Sequence, residues 1–95
     1  MGAESYSAIL EDGPRWPIEK YVQILTESGC PCREEPDEWG NWVIFDGRES
    51  TLNFSVEDGA AVFVTFEMDS DDPPEFFATV ERTFANSGWS TEEEA

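Results

Sequence analysis

The stretch WGNWVIFDGRESTLNFSVEDGAAVFVTFEM, residues 39–68, decides the fold. Trp39–Phe45 is dense in β-formers and ends at Asp46-Gly47, a hairpin signal. Leu52, Phe54 and Val56 then alternate with Thr51, Asn53 and Ser55, the period of a half-buried strand. Asp58-Gly59 supplies a second hairpin turn. A third strand follows, with Val62, Val64, Phe66 and Met68 on one face and Phe63, Thr65 and Glu67 on the other. Three consecutive strands joined by tight turns predict an antiparallel meander.

Upstream, Ser5–Leu10 reads as a short strand closed by the turn Glu11-Asp12-Gly13-Pro14. Ile18, Tyr21, Val22 and Leu25 fall at i, i+3, i+4 and i+7, one apolar stripe of a helix spanning 17–28, with Gly29 as its stop. Residues 30–38 carry two prolines and four carboxylates and read as a loop. Downstream, Asp69–Pro74 opens a second helix: Asp71 or Asp72 is placed to cap it, and a proline suits its first turn. Phe76, Phe77, Val80 and Phe84 form the stripe and Gly88 the stop. Trp89 is expected to fold back onto the core. The expected fold is therefore α+β, a three-stranded antiparallel meander sheet with two helices on one face, in the order (β)-α-β-β-β-α. Residues 1–90 form a single compact domain and residues 91–95 an acidic flexible tail.

Around this framework lies an unusual charge. The 95 residues include 22 Asp and Glu against five Lys and Arg, with no His, for a formal net charge of −17. Disordered acidic chains lack aromatics, whereas 14% of these residues are aromatic, so a folded core is expected. Self-repulsion then opposes compaction, and added salt should stabilise the fold. The first eleven residues lack the basic start and apolar run of a secretory signal, and no stretch is apolar enough to span a membrane. An anionic leaflet would repel such a surface. A cytoplasmic protein without membrane association is the expectation.

Catalytic signatures are absent from the sequence. Without His there is no Ser-His or Cys-His nucleophile and no His-based metal motif. The glycines sit at turns and caps, not in a phosphate-cradling loop. Cys30 and Cys32 are one residue apart, a spacing that strains a disulfide and closes almost no loop. The acids near Asp69 lack the glycine and terminal Glu of an EF-hand. The expectations are no enzyme, no catalytic residues, no metal and no cofactor.

What remains is the distribution of acid. Glu34, Glu35, Asp37 and Glu38 form one cluster beside Trp39, a candidate aromatic anchor. Glu67, Asp69, Asp71 and Asp72 form another, and the two fall at opposite ends of the strands. Trp42 is assigned to the core. These nine residues, from Glu34 to Asp72 with Trp39, are the candidate partner-binding set. The α-β-β-β-α order is similar to that of double-stranded-RNA-binding domains, but the family's basic helix start is missing and the charge repels RNA. No direct nucleic-acid binding is expected.

Charge and size together match the physical profile of immunity proteins and DNA mimics. The leading expectation is a small acidic intracellular interaction or inhibitor protein, a monomer or weak homodimer, docking on a basic protein surface such as that of a nucleic-acid enzyme. Two alternatives stand beside it. One is a salt-adapted acidic domain of housekeeping role. The other is a dimerising scaffold that uses an apolar sheet face, with Phe63 and Val43 or Phe45 exposed opposite the helices.

Overall fold

The computed structural model describes residues 3–38 and 40–92, and for Ala3, Glu4, Asp37 and Glu92 the backbone alone. The elements are β1 (Ala3–Leu10), α1 (Ile18–Glu27), β2 (Cys32–Asp37), β3 (Gly40–Phe45), β4 (Thr51–Glu57), β5 (Ala60–Asp69), α2 (Pro74–Ala85) and β6 (Trp89–Glu92). All six strands join one antiparallel sheet in the order β2-β3-β4-β5-β1-β6. The α+β class and the two helices stand as expected. The three-stranded meander does not: β2 to β5 make a four-stranded meander, and β1 extends it through β5 with β6 beyond.

Two sequence readings explain the smaller sheet expected. CREEPD at 32–37 has almost no strand propensity, yet it pairs along its length with β3, from Cys32 opposite Phe45 to Asp37 opposite Gly40. Its other side has no neighbour, so Pro36 forfeits no ladder bond there, and edge strands tolerate such a residue. β1, flanked by β5 and β6, is central instead of peripheral. β6 is four residues long and continues to Glu92, past residue 90 where the compact domain was expected to close. Of the tail expected over 91–95, residues 91 and 92 belong to β6 and residues 93–95 lie outside the described residues.

Directly opposed residues share a face of an antiparallel sheet. Val43, Leu52, Phe66 and Tyr6 form one such row, and Phe54, Val64 and Ala8 belong to the next. Both helices cover this side. Tyr21 of α1 stacks on Phe54, Phe84 of α2 meets Phe66 edge-on at 5.1 Å, and Phe76 meets Phe45 at 4.8 Å. Tyr21 and Phe84 lie nearly parallel, 5.4 Å apart, joining the helices to each other. Trp89 is buried as expected, and its indole N–H donates to the Tyr21 hydroxyl at 3.0 Å.

The β4–β5 connection is the two-residue turn foreseen, with Asp58 at φ 52° and Gly59 at φ 81°. That pair of positive φ values is the hairpin geometry Asp-Gly favours. Close to it the register shifts: Ser55 opposes Phe63 while Val56 opposes Ala61. Val62 is therefore the extra residue of a bulge, and Ala61, not Val62, enters the core.

Val43 and Phe45 are buried as well, so neither is exposed opposite the helices. The outward row of β3 is instead Trp42 and Ile44. Trp42, expected in the core, is partly exposed and lies outside the buried cluster. Four consecutive apolar residues, 42–45, leave no period-2 signal, and only the register with Leu52 and Asn53 decides which pair turns inward.

Candidate functional site

The strand directions separate the two acidic clusters. β2 ends and β3 begins at one end of the sheet, where Glu38 occupies the connecting turn. β5 ends with Asp69 at the opposite end, followed by Asp71 and Asp72. Glu34 opposes Val43 and so lies on the helix side of β2, whereas Glu35 opposes Trp42 on the other side. Glu67 opposes Thr51 and shares the helix-free side with Glu35. Trp39 lies outside the described residues. The candidate set thus spreads over both ends and both faces, with Glu34, Glu35, Glu38, Glu67 and Asp71 exposed.

Asp72 is different in kind. It is only 7% exposed, and its carboxylate accepts hydrogen bonds from Ser50 Oγ (2.5 Å), Ser50 N (2.9 Å) and Glu49 N (3.2 Å). Ser50 Oγ in turn accepts from Asp69 N at 2.9 Å. The helix that Asp71 or Asp72 was expected to cap begins after Pro73, with no side-chain cap. Burial works to raise the Asp72 pKa. The Ser50 hydroxyl, the Ser50 and Glu49 amides and the Arg48 charge outweigh it and hold the carboxyl below its ordinary value. Asp72 is thus a buried anchor tying the β3–β4 loop to the start of α2.

The exposed acids have few partners. Among the described residues the ion pairs all come from Arg33, to Glu35 at 2.7 Å and to Asp46 at 3.5 Å. Three of the other four bases are engaged elsewhere. Lys20 sits 5.3 Å from the Trp16 ring, Arg48 lies 5.3 Å from the Phe76 ring, and Arg15 reaches the Glu57 carbonyl at 3.5 Å. Arg82 lines an open groove of about 370 Å³ between α1 and α2 with Ile24, Ser28, Thr79, Thr83, Asn86 and Ser87. The hydroxyls of Thr79, Thr83 and Ser87 are each spent on the carbonyl four residues earlier. The groove therefore offers few uncommitted donors beyond Arg82 and Asn86.

Both cysteines are free thiols. Burial pushes Cys30 up, against the Arg48 charge, and pushes Cys32 up to about 11 despite a hydrogen bond with Thr26. Burial likewise raises Tyr21, against the Trp89 hydrogen bond. All these shifts, with that of Asp72, lead away from the neutral range in which a general acid or base works best. No group of three or more His, Cys, Asp or Glu arranged to hold a metal occurs among the described residues. No described helix is long and apolar enough to cross a membrane.

The clearest surface contrast is the apolar sheet face, expected with Phe63 and Val43 or Phe45 but built on β3 from Trp42 and Ile44. On the helix-free side, Ile9, Trp42, Ile44 and Phe63 lie among Ser, Thr and Asn residues of β1, β4 and β5, with Arg33 and Glu35 of the edge strand beside Ile44 and Trp42 and Glu67 in the row of Ile44. The signal for it was the run of uncharged residues at alternate positions of β4, namely Thr51, Asn53 and Ser55. No family model, curated protein or solved structure gives a significant match to the chain.

Proposed function

We propose that this chain is a small acidic interaction protein, acting inside the cell, that docks its carboxylate surface on a basic surface of a partner protein. A nucleic-acid enzyme is the partner class whose binding groove best fits such a charge. The observation that carries this reading is the uncompensated acid. Of 22 acidic residues, only Glu35 and Asp46 meet a base within ion-pair distance among the described residues. Carboxylates left unpaired in a folded domain project a field that speeds association with a cationic surface and weakens steeply with salt.

The test is a pull-down from native lysate at about 0.1 M and about 1 M salt, conditions that bracket strong and weak screening. The expected result is recovery of a basic nucleic-acid enzyme at low salt only, whose purified activity falls when the protein is added. Recovery of no such enzyme overturns the reading. The rival reading, acidity as adaptation to a salt-rich interior, is favoured by the scarcity of lysine, of which Lys20 is the only one. It predicts equally acidic proteins throughout the same organism.

A further inference from the structure

We propose that the helix-free face of the sheet is a self-association surface, on which two copies of this chain stack sheet to sheet.

Among the described residues nothing packs over this face, and its apolar side chains are partly exposed. Both helices lie on the other side, and Ile9, Trp42, Ile44 and Phe63 are absent from the buried cluster and from the side chains packed against it. The register sets them in neighbouring positions. Trp42 and Ile44 oppose Asn53 and Thr51, Asn53 opposes Thr65, and Phe63 opposes both Ser55 and Ile9. The centre is thus aromatic and aliphatic with short hydroxyl and amide side chains between. That is the composition of an interface core, from which charged residues are depleted.

Charge selects a second copy as the occupant. A basic partner gains less here than at the acidic clusters, because the carboxylates of this side, Glu35 and Glu67, flank the apolar residues and do not stand between Trp42 and Phe63. A second copy, carrying −17 itself, is repelled from every acid-rich surface and least from this one. The flanking acid Glu35 pairs with Arg33, which it shares with Asp46, and Glu67 makes no ion pair among the described residues. Pairing through strand edges is disfavoured: β2 carries Pro36 and charges, and β6 is only four residues long.

The area suffices for a weak dimer. Six strands at about 4.8 Å spacing and about 20 Å of strand length give a face near 580 Å². Two such faces, stacked about 10 Å apart and twisted about 30° as in β-sandwiches, bury on the order of 1,200 Å². That is the lower bound for specific interfaces. With the remaining acids repelling across it, the contact should form only where salt screens them.

Sedimentation velocity across about 0.1 to 2 M potassium chloride, a range over which the Debye length falls below about 3 Å, tests this. The expected result is the 10.7 kDa monomer at low salt and twice that mass at high salt. Trp42→Glu and Phe63→Glu, checked by circular dichroism for an unchanged fold, should each raise the dimer Kd at least about 100-fold, since each removes two central anchors per dimer. Gln23→Glu, exposed on α1, should leave it unchanged. A monomer at every salt and concentration overturns the proposal. So does a dimer that survives both face variants, which places the contact elsewhere. Salt-sensitive pull-down of a basic enzyme that Trp42→Glu abolishes would give the face to that partner instead.

Discussion

Asp72 makes a sharp prediction because it runs against the rest of the chain. With a net charge of −17, neutralising an acidic residue should on average relieve repulsion and stabilise the fold. Asp72→Ala should do the reverse. The substitution strands two buried donors, Ser50 N and Ser50 Oγ, and one partly buried donor, Glu49 N. A hydrogen bond to a charged acceptor contributes about 1.5–3 kcal/mol, so losing the two buried ones costs about 3–6 kcal/mol. Unfolding entropy near 2.1 cal/mol/K per residue gives about 0.2 kcal/mol/K for a chain this long, so Tm should drop by roughly 15–30 °C.

Asp71→Ala, one residue away and exposed, is the matched control and should change Tm by less than about 3 °C, within the range of ordinary surface substitutions. The acid limb adds a second signature. The folded-state pKa of Asp72 lies below its unfolded value, so its stabilisation is full above the unfolded pKa and is lost as pH falls through the folded one. The Tm gap between the wild type and Asp72→Ala should therefore narrow below about pH 4, near the unfolded carboxylate pKa. Thermal melts of the three proteins at pH 7 and pH 3 decide it. An Asp72→Ala variant as stable as Asp71→Ala at pH 7 refutes the anchor.

Three further outcomes follow from other parts of the molecule. Tm should rise with salt: treating −17 as spread over a folded sphere and an expanded coil, going from about 0.15 M to 1 M salt removes on the order of 5 kcal/mol of excess repulsion. A flat salt series would show the acids to be locally compensated. The thiols should react slowly with a disulfide reagent at pH 8 until the chain is denatured, since burial holds Cys32 at about 11. The same raised pKa predicts stability lost as pH climbs from about 9, the unfolded value, toward about 11, and rapid labelling of the native chain would contradict both. Gly88→Ala should cost several kcal/mol, because φ is 87° and the added Cβ would lie 2.5 Å from the Asp12 carbonyl oxygen. Chemical denaturation measures it, and a cost below about 1 kcal/mol, the ordinary penalty of a strain-free glycine change, would count against that close approach.

Local signals in the sequence sufficed for the elements they govern. The stripe Ile18, Tyr21 and Leu25 is the buried face of α1, and Asp58-Gly59 is the turn between β4 and β5. What was not legible depended on partners far away in the chain. β2 is a strand because β3 offers a ladder to a segment whose own residues favour a loop. Asp72 sits where a helix cap would, but its oxygens find Ser50, 22 residues distant, and no local rule anticipates that. Trp42 lies in an apolar run whose inward and outward members only the neighbouring strand distinguishes. The carboxylates were legible as a composition, and their division between the two ends of the sheet followed from the meander.

The two proposed surfaces respond to ionic strength in opposite directions, which lets one variable separate them. Docking of unpaired carboxylates on a basic partner is driven by attraction between unlike charges, and salt weakens it. Stacking of two sheets is driven by apolar burial around Trp42 and Phe63 against repulsion between like charges, and salt strengthens it. At low ionic strength the chain should be a monomer competent for a basic partner. At high ionic strength it should pair with itself, hiding the helix-free face while leaving most carboxylates in water. If salt adaptation explains the acidity, the paired form is the working one and Trp42→Glu should abolish function in the cell. If a partner explains it, the monomer is the working form, and charge reversal at Glu34, Glu38 and Asp71 should abolish function while Trp42→Glu is tolerated.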